Sequence, residues 1–228
     1  MKHLLLIVTF LASLLHIALS APGNEPTISR EGTEWCNIWI ANATNSKLPR
    51  VLLIGDSITM NYGPEVEKRL NNKASVARLG SSAFISDPML LAEITLVLDS
   101  MKFDLIHFNN GMHGWQHSEE EYRQAFPEFL ATIQKHAPGA KLIWATTTPL
   151  KVSTPVKPGE GHPSDERIAA RNAIALEFLK PLNIPVDDLN TLMAGHPEWH
   201  SDNVHFNKDG VARQIDQIVP QIENLLSH

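Results

Sequence analysis

Three side chains of the kinds used for nucleophilic catalysis fall in two short stretches far apart in the chain. Ser57 closes the run Gly55-Asp56-Ser57, and Asp202 and His205 lie three residues apart before Phe206. A serine hydroxyl is a weak nucleophile until a neighbouring base takes its proton. An imidazole does this best when its second nitrogen is held by a carboxylate. An Asp and a His three residues apart in a loop can form that half of the unit. A plainer reading exists for each stretch alone: a turn and helix cap at 56–57, and a capping Asp beside a surface His at 202–205. Taken together they fit one chemistry, acyl transfer through an activated serine.

The elements that must bring these residues together can be read from the apolar pattern. Residues 51–54 are four apolar residues in a row, preceded by Lys47, Pro49 and Arg50. So short a run, bounded by turn and polar residues, predicts a buried strand of a parallel sheet. Helical composition follows at 65–70 and ends at Asn71-Asn72. Ser57 thus falls at a strand-to-helix turn, where open α/β sheets place reactive groups. Free backbone N–H groups at the start of a helix suit an anionic intermediate. Further strands are expected at 75–79, 104–109, 141–146 and 184–189, and a helix at 88–101 with Pro88 in its first turn. Ser118 and Glu121 form a capping box for a helix with Tyr122, Phe126, Phe129, Leu130 and Ile133 on one face. Another helix is expected at 164–180. Asn207 caps a last one, with Val211, Ile215, Ile218, Val219 and Ile222 inward. Pro127 and Pro220 should disturb their helices. Residues 147–162 and 190–205 read as long loops, of the kind that carry function in compact domains. The pattern predicts a doubly wound (flavodoxin-like) α/β three-layer sandwich with a five-stranded parallel sheet.

With 228 residues, 43% hydrophobic and 19% charged, the chain is sized for a single globular domain. A net charge of −6 with scattered lysines and arginines argues against nucleic acid as a partner. Residues 1–20 read as a signal peptide: a basic start at Lys2, an apolar stretch over 4–19, and small residues at Ala18 and Ser20. The predicted location is secreted or periplasmic, without stable membrane insertion after cleavage. Residues 21–49, rich in Asn, Thr and Pro, read as a leader or surface segment. Trp35, Ile38, Trp39 and Ile40 are candidates to pack it onto a domain spanning 50–228. The single cysteine, Cys36, reads as a small packed hydrophobe.

The two motif stretches resemble those of the SGNH (GDSL-like) hydrolases, over roughly residues 50–226. Gly55-Asp56-Ser57-Ile58 is similar to the nucleophile block of that family. Asp202 and His205, followed by a final helix, are similar to its acid and base block. The resemblance implies an ester hydrolase with Ser57, His205 and Asp202 catalytic and no cofactor; with the export signal it implies an acetylated carbohydrate as the substrate class, lipid esters and thioesters staying open. It implies an oxyanion hole from Ser57 and Gly80, the latter just past the second strand. At the third strand the sequence departs from the family's Gly-x-Asn-Asp. Here it reads Gly111-Met112-His113-Gly114, so His113 stands where a donor Asn is usual, with Asn109 and Asn110 as alternatives.

Asp56, Trp115 and Trp199 fall at the expected rim of the site and are candidate substrate-side residues for a small-molecule or oligosaccharide ester. A tryptophan there serves equally to stack on a sugar or to cover the core. His107, His113, His117, His196 and His200 have no carboxylate or cysteine set at zinc-ligand spacing, so no metal is expected. A non-catalytic carbohydrate-binding protein and an acyltransferase remain open as alternatives.

Overall fold

The computed structural model describes residues 28–44, 47–156 and 160–227. The signal-peptide stretch 1–20 lies outside them. Six strands form one sheet: β1 (Cys36–Ile40), β2 (Arg50–Gly55), β3 (Ser75–Ser81), β4 (Leu105–Phe108), β5 (Lys141–Ala145) and β6 (Val186–Asp187). Their order is β1-β3-β2-β4-β5-β6. All neighbours pair in parallel except β1, which runs antiparallel to β3. The expected five-stranded parallel sheet is therefore corrected to a mixed six-stranded one. The sixth strand comes from the segment read as a surface leader. Ile38, Trp39 and Ile40 have the β-branched and aromatic character that favours a strand. Ile38 and Trp39 nonetheless remain 40% and 53% exposed, because an edge strand covers little core.

Val51, Leu52, Leu53 and Ile54 are all at most 2% exposed, since β2 is covered on both faces. Its alternating side chains divide the core. Val51 and Leu53 pack with Tyr62 and Val66 of α1 (Ser57–Arg69) and with Ile215, Ile218 and Ile222 of α6 (Lys208–Ser227). Leu52 and Ile54 face α2 (Pro88–Ser100), α3 (Glu119–His136) and α4 (Asp165–Leu179) through Ile94, Phe126 and Ile174. This is a three-layer α/β/α sandwich.

The Ser118–Glu121 capping box forms, and α3 continues through Pro127 as α6 does through Pro220. The stretch expected as a bare loop at 190–205 holds a short helix, α5 (Leu189–Met193), with Asp188 as its N-cap, and a 3₁₀ turn at Pro197–Trp199. Among the described residues no helix is long and apolar enough to cross a membrane.

The strand order reverses about β2: the chain leaves β2 for β3 on one side and later returns past it to β4. The crevice outside the carboxyl ends of β2 and β4 is thus the switch point where such sheets bind ligands. Ser57 follows β2 directly, and residues 109–114 follow β4.

Candidate active site

Asp56 ends β2 and caps α1, its Oδ1 accepting from the Ile58 N–H at 2.8 Å. The carboxylate is 4% exposed and engaged by the helix, so it is part of the turn rather than of an open substrate surface. Ser57 is then the first helical residue. Its N–H lies in the turn of α1 that no intrahelical carbonyl reaches, at the positive end of the helix dipole.

The other half of the site is a loop pinned at both ends. Ser201 N–H donates to the His205 carbonyl at 2.9 Å, and Asn207 N–H donates to the Trp199 carbonyl at 2.8 Å. Between these ties Asp202 Oδ1 accepts from the backbone N–H groups of Val204 and His205, each at 2.8 Å. Its Oδ2 lies 2.8 Å from His205 Nδ1. The backbone hydrogen bonds are the main reason the Asp202 carboxyl is lowered to about 2. A carboxylate only accepts, so Nδ1 carries the proton and Nε2 is left as an acceptor. Ser57 Oγ lies 2.7 Å from that Nε2. The tertiary fold thus brings Ser57, His205 and Asp202 into one hydrogen-bonded line, although 148 residues separate serine and histidine.

Gly210 sets the distance between α6 and this loop. A Cβ there would lie 2.5 Å from the Trp199 carbonyl oxygen and 3.0 Å from Phe206 Cβ. Gly210→Ala is expected to push the loop off α6, costing about 1–3 kcal/mol of stability. A displacement of about 1 Å at His205 would lower kcat about 100-fold. Thermal unfolding and steady-state kinetics on the same preparation check both.

The remaining candidates fall into different places. Gly80 lies inside β3 rather than past its end, paired with Gly55 on one side and Asn37 on the other. A Cβ on it would meet Met60 at 2.4 Å. Asn109 donates through Nδ2 to the Ala145 carbonyl at 2.7 Å and to Thr147 Oγ1 at 3.0 Å. Asn110 donates to the Ala83 carbonyl at 3.0 Å. Both amides therefore tie neighbouring loops together. Trp115 is only 7% exposed, and its ring lies 4.0 Å beneath the Arg171 guanidinium. It covers core and offers no open face to a sugar. Trp199 is half-buried and stacks on His196, with ring centroids 3.6 Å apart. His107 is fully buried, its Nε2 3.0 Å from Asp187 Oδ2.

Two residues missing from the sequence reading shape the loop after β4. Arg171 of α4 is fully buried and donates to three of its carbonyls: Gly111 at 3.0 Å, His113 at 2.7 Å and Gly114 at 3.0 Å. Burial lowers its guanidinium to about 10, which leaves it charged at neutral pH. Arg171→Met would strand those carbonyls and is expected to cost about 3 kcal/mol, read by urea unfolding. An arginine within a helical run gives no hint of this in sequence.

The second is Glu31, from the N-terminal segment. Its carboxylate accepts from His113 Nδ1 at 3.1 Å and from the Gly114 N–H at 3.0 Å. Gly114 adopts φ +70°, and a Cβ there would lie 2.3 Å from the Phe84 ring. Glycine is needed at this turn on both counts.

A three-layer α/β domain of this topology, with its reactive edge at the switch point, is that of the SGNH hydrolases. The profile of the GDSL-like lipase/acylhydrolase family matches residues 53–213, and the chain belongs to that family. Solved structures agree on the fold. A GDSL-like lipase of Bacteroides thetaiotaomicron superimposes with TM-score 0.63 at 18% identity, over 77% of this chain and 88% of that one. A carbohydrate acetylesterase of Sinorhizobium meliloti gives 0.62 at 13% identity, covering 78% and 99%. A carbohydrate esterase family 3 protein of Talaromyces cellulolyticus gives 0.60 at 17% identity, covering 79% and 99%. No curated protein sequence matches the chain.

Proposed function

We propose that the protein is an exported serine ester hydrolase that removes O-acetyl groups from a carbohydrate. The observation that carries this reading is the unbroken chain from Ser57 Oγ to His205 Nε2 at 2.7 Å and from His205 Nδ1 to Asp202 at 2.8 Å. Ser57 attacks the ester carbonyl carbon while its proton passes to His205 Nε2. The tetrahedral intermediate collapses, breaking its bond to the sugar oxygen, as His205 gives that oxygen the proton and the sugar leaves as an alcohol. Water then attacks the acyl-enzyme with His205 again as base, releasing acetate and free Ser57. Asp202 holds the tautomer and supports the imidazolium. The N–H of Ser57, at the start of α1, meets the oxyanion together with a donor from the loop after β4. No cofactor enters any step.

The ester-hydrolase class is supported by the family, and the carbohydrate acetyl substrate by two fold neighbours, a carbohydrate acetylesterase and a carbohydrate esterase. Export is supported by the apolar stretch at 4–19. The test uses protein beginning at Ala21. It is challenged with a fluorophosphonate probe, p-nitrophenyl esters and acetylated oligosaccharides. Labelling of Ser57 and release of acetate are expected. A folded protein that neither labels nor turns over any of these esters overturns the reading and favours a binding protein. Acetyl transfer to added sugar in preference to water would make it an acyltransferase.

A further inference from the structure

His113 raises a problem of proton placement. Its Nδ1 lies 3.1 Å from both carboxylate oxygens of Glu31. A carboxylate cannot donate, so the proton of this hydrogen bond sits on Nδ1. A neutral imidazole has only one N–H. In the neutral form Nε2 is therefore a bare lone pair that would repel an oxyanion. His113 can serve as an oxyanion donor in only one state, with both nitrogens protonated.

We infer that Glu31 is a positioning residue that holds His113 as an imidazolium, whose Nε2–H supplies the side-chain donor to the oxyanion during ester cleavage. The inference rests on the esterase reading above and gives the N-terminal segment a role in the site. Three observations support it. Both N–H groups of the Asn109 amide are engaged and Asn110 gives one of its two to the Ala83 carbonyl, whereas His113 Nε2 makes no hydrogen bond to any described residue. Glu31 is fixed by more than the imidazole, since the Gly114 N–H also donates to it. The segment itself is anchored: Arg30 donates to Asp87 at 2.8 and 3.1 Å, Trp35 N–H to Ser82 Oγ at 2.8 Å, and Gln116 to the Ser29 carbonyl at 3.0 Å.

The charges around the ring point the same way. Burial pulls the His113 imidazole down, but the hydrogen bond to Glu31 and the charges of Asp56, Glu31 and Glu34 outweigh it. The group sits above its ordinary value. For Glu31, burial pushes the carboxyl up. The hydrogen bonds from His113 and Gly114 and the charges of His113 and Arg171 bring it below the usual range. The ionised pair is therefore complete above the usual carboxylate range. It is lost on the alkaline side as pH rises through the raised value of His113. A developing negative charge meets a full positive charge in this arrangement, in place of the neutral carboxamide usual in the family. The proton stays on Nε2 throughout, and only His205 carries the proton of Ser57.

The experiment compares the parent, Glu31→Gln, His113→Asn, the double variant, and Arg30→Ala. Arg30→Ala loosens the same segment without touching the imidazole. In the parent, activity should fall at alkaline pH as His113 loses its proton. In Glu31→Gln, kcat at neutral pH should fall about 10–100-fold with KM within about threefold. Its alkaline limb should move to lower pH. Glu31→Gln should have no further effect on kcat in the His113→Asn background. ¹⁵N NMR of histidine-labelled protein should show His113 doubly protonated at neutral pH in the parent and neutral in Glu31→Gln. A neutral His113 in the parent overturns the inference. An unmoved alkaline limb in Glu31→Gln, or the same losses from Arg30→Ala, also overturns it, because Glu31 would then be only a tether. A parent that fails to label with fluorophosphonate instead overturns the esterase reading. The NMR result is independent of activity, so the two failures are distinguishable.

Discussion

Ser57→Ala is expected to lower kcat by about 10⁴-fold or more, with the unfolding midpoint almost unchanged. The hydroxyl is the proposed nucleophile, and among the described residues its hydrogen-bond partner is His205 Nε2 at 2.7 Å. Asp56, not Ser57, caps α1, so the helix keeps its N-terminal hydrogen bond when the hydroxyl is removed. That separation makes the experiment clean: catalysis should vanish while folding persists. His205→Ala should cost as much, and the double variant little more, because the two act as one unit. Steady-state rates on an acetyl ester, with circular dichroism as the folding control, decide it. Turnover by Ser57→Ala within tenfold of the parent would remove the serine mechanism.

Asp202→Asn should be nearly as damaging, by about 10⁴-fold in kcat, for a different reason. The present carboxylate accepts from Val204 N–H, His205 N–H and His205 Nδ1–H. An Asn at this position presents one oxygen and one NH₂ group. If the oxygen keeps the backbone donors, the NH₂ group faces Nδ1 and favours the tautomer with the proton on Nε2. His205 then cannot accept from Ser57. The backbone bonds survive in that arrangement, so the loop should stay folded. The pH response follows from the same contacts. Asp202 is held near 2, below its usual range, so its stabilising contribution is present above the usual carboxylate value. That contribution declines as pH falls below the usual carboxylate value and is gone once pH has passed through about 2. Asp202 therefore stays ionised throughout the neutral range, ready to hold Nδ1–H of His205. An Asp202→Asn protein retaining more than about a tenth of parental kcat would mean that tautomer control is unnecessary here.

Charge at the loop after β4 links these expectations to the Glu31 experiment. Ser57 and His205 are proposed to transfer a proton, and Glu31 and His113 to hold one still. Both imidazoles donate Nδ1–H to a carboxylate, yet they need opposite states of Nε2. The alkaline bound of activity is then expected from His113.

Much of this was written locally in the sequence. The run 51–54 is apolar at every position because a central strand is covered on both faces, and that pattern alone placed Ser57 at a strand end. Asp202 and His205 meet across three residues, as Ser118 and Glu121 do, so loop geometry and the capping box needed no tertiary information. The strand 184–189 came out as only Val186–Asp187, because Asp188 caps the short helix at once and ends the extended run. Other features belong to tertiary structure alone. Glu31 and His113 are 82 residues apart, and Arg171 lies 58 residues from the His113 carbonyl it clamps. No periodicity encodes either contact. Each depends on which loops the strand order brings to the carboxyl edge. Gly80 reads as a residue beyond its strand, but pairing with Gly55 of β2 and Asn37 of β1 carries β3 through it to Ser81. Strand β1 comes from a segment whose composition is that of a surface leader, because an edge strand is half exposed and its alternation is weak. The sequence could point to the groups proposed to move a proton, since Asp202 and His205 are near neighbours in the chain and Ser57 stands at a legible strand end, although the sheet has to bring them together across 148 residues. Only packing could show which carboxylate holds the third imidazole, because that partner is chosen by the assembled sheet.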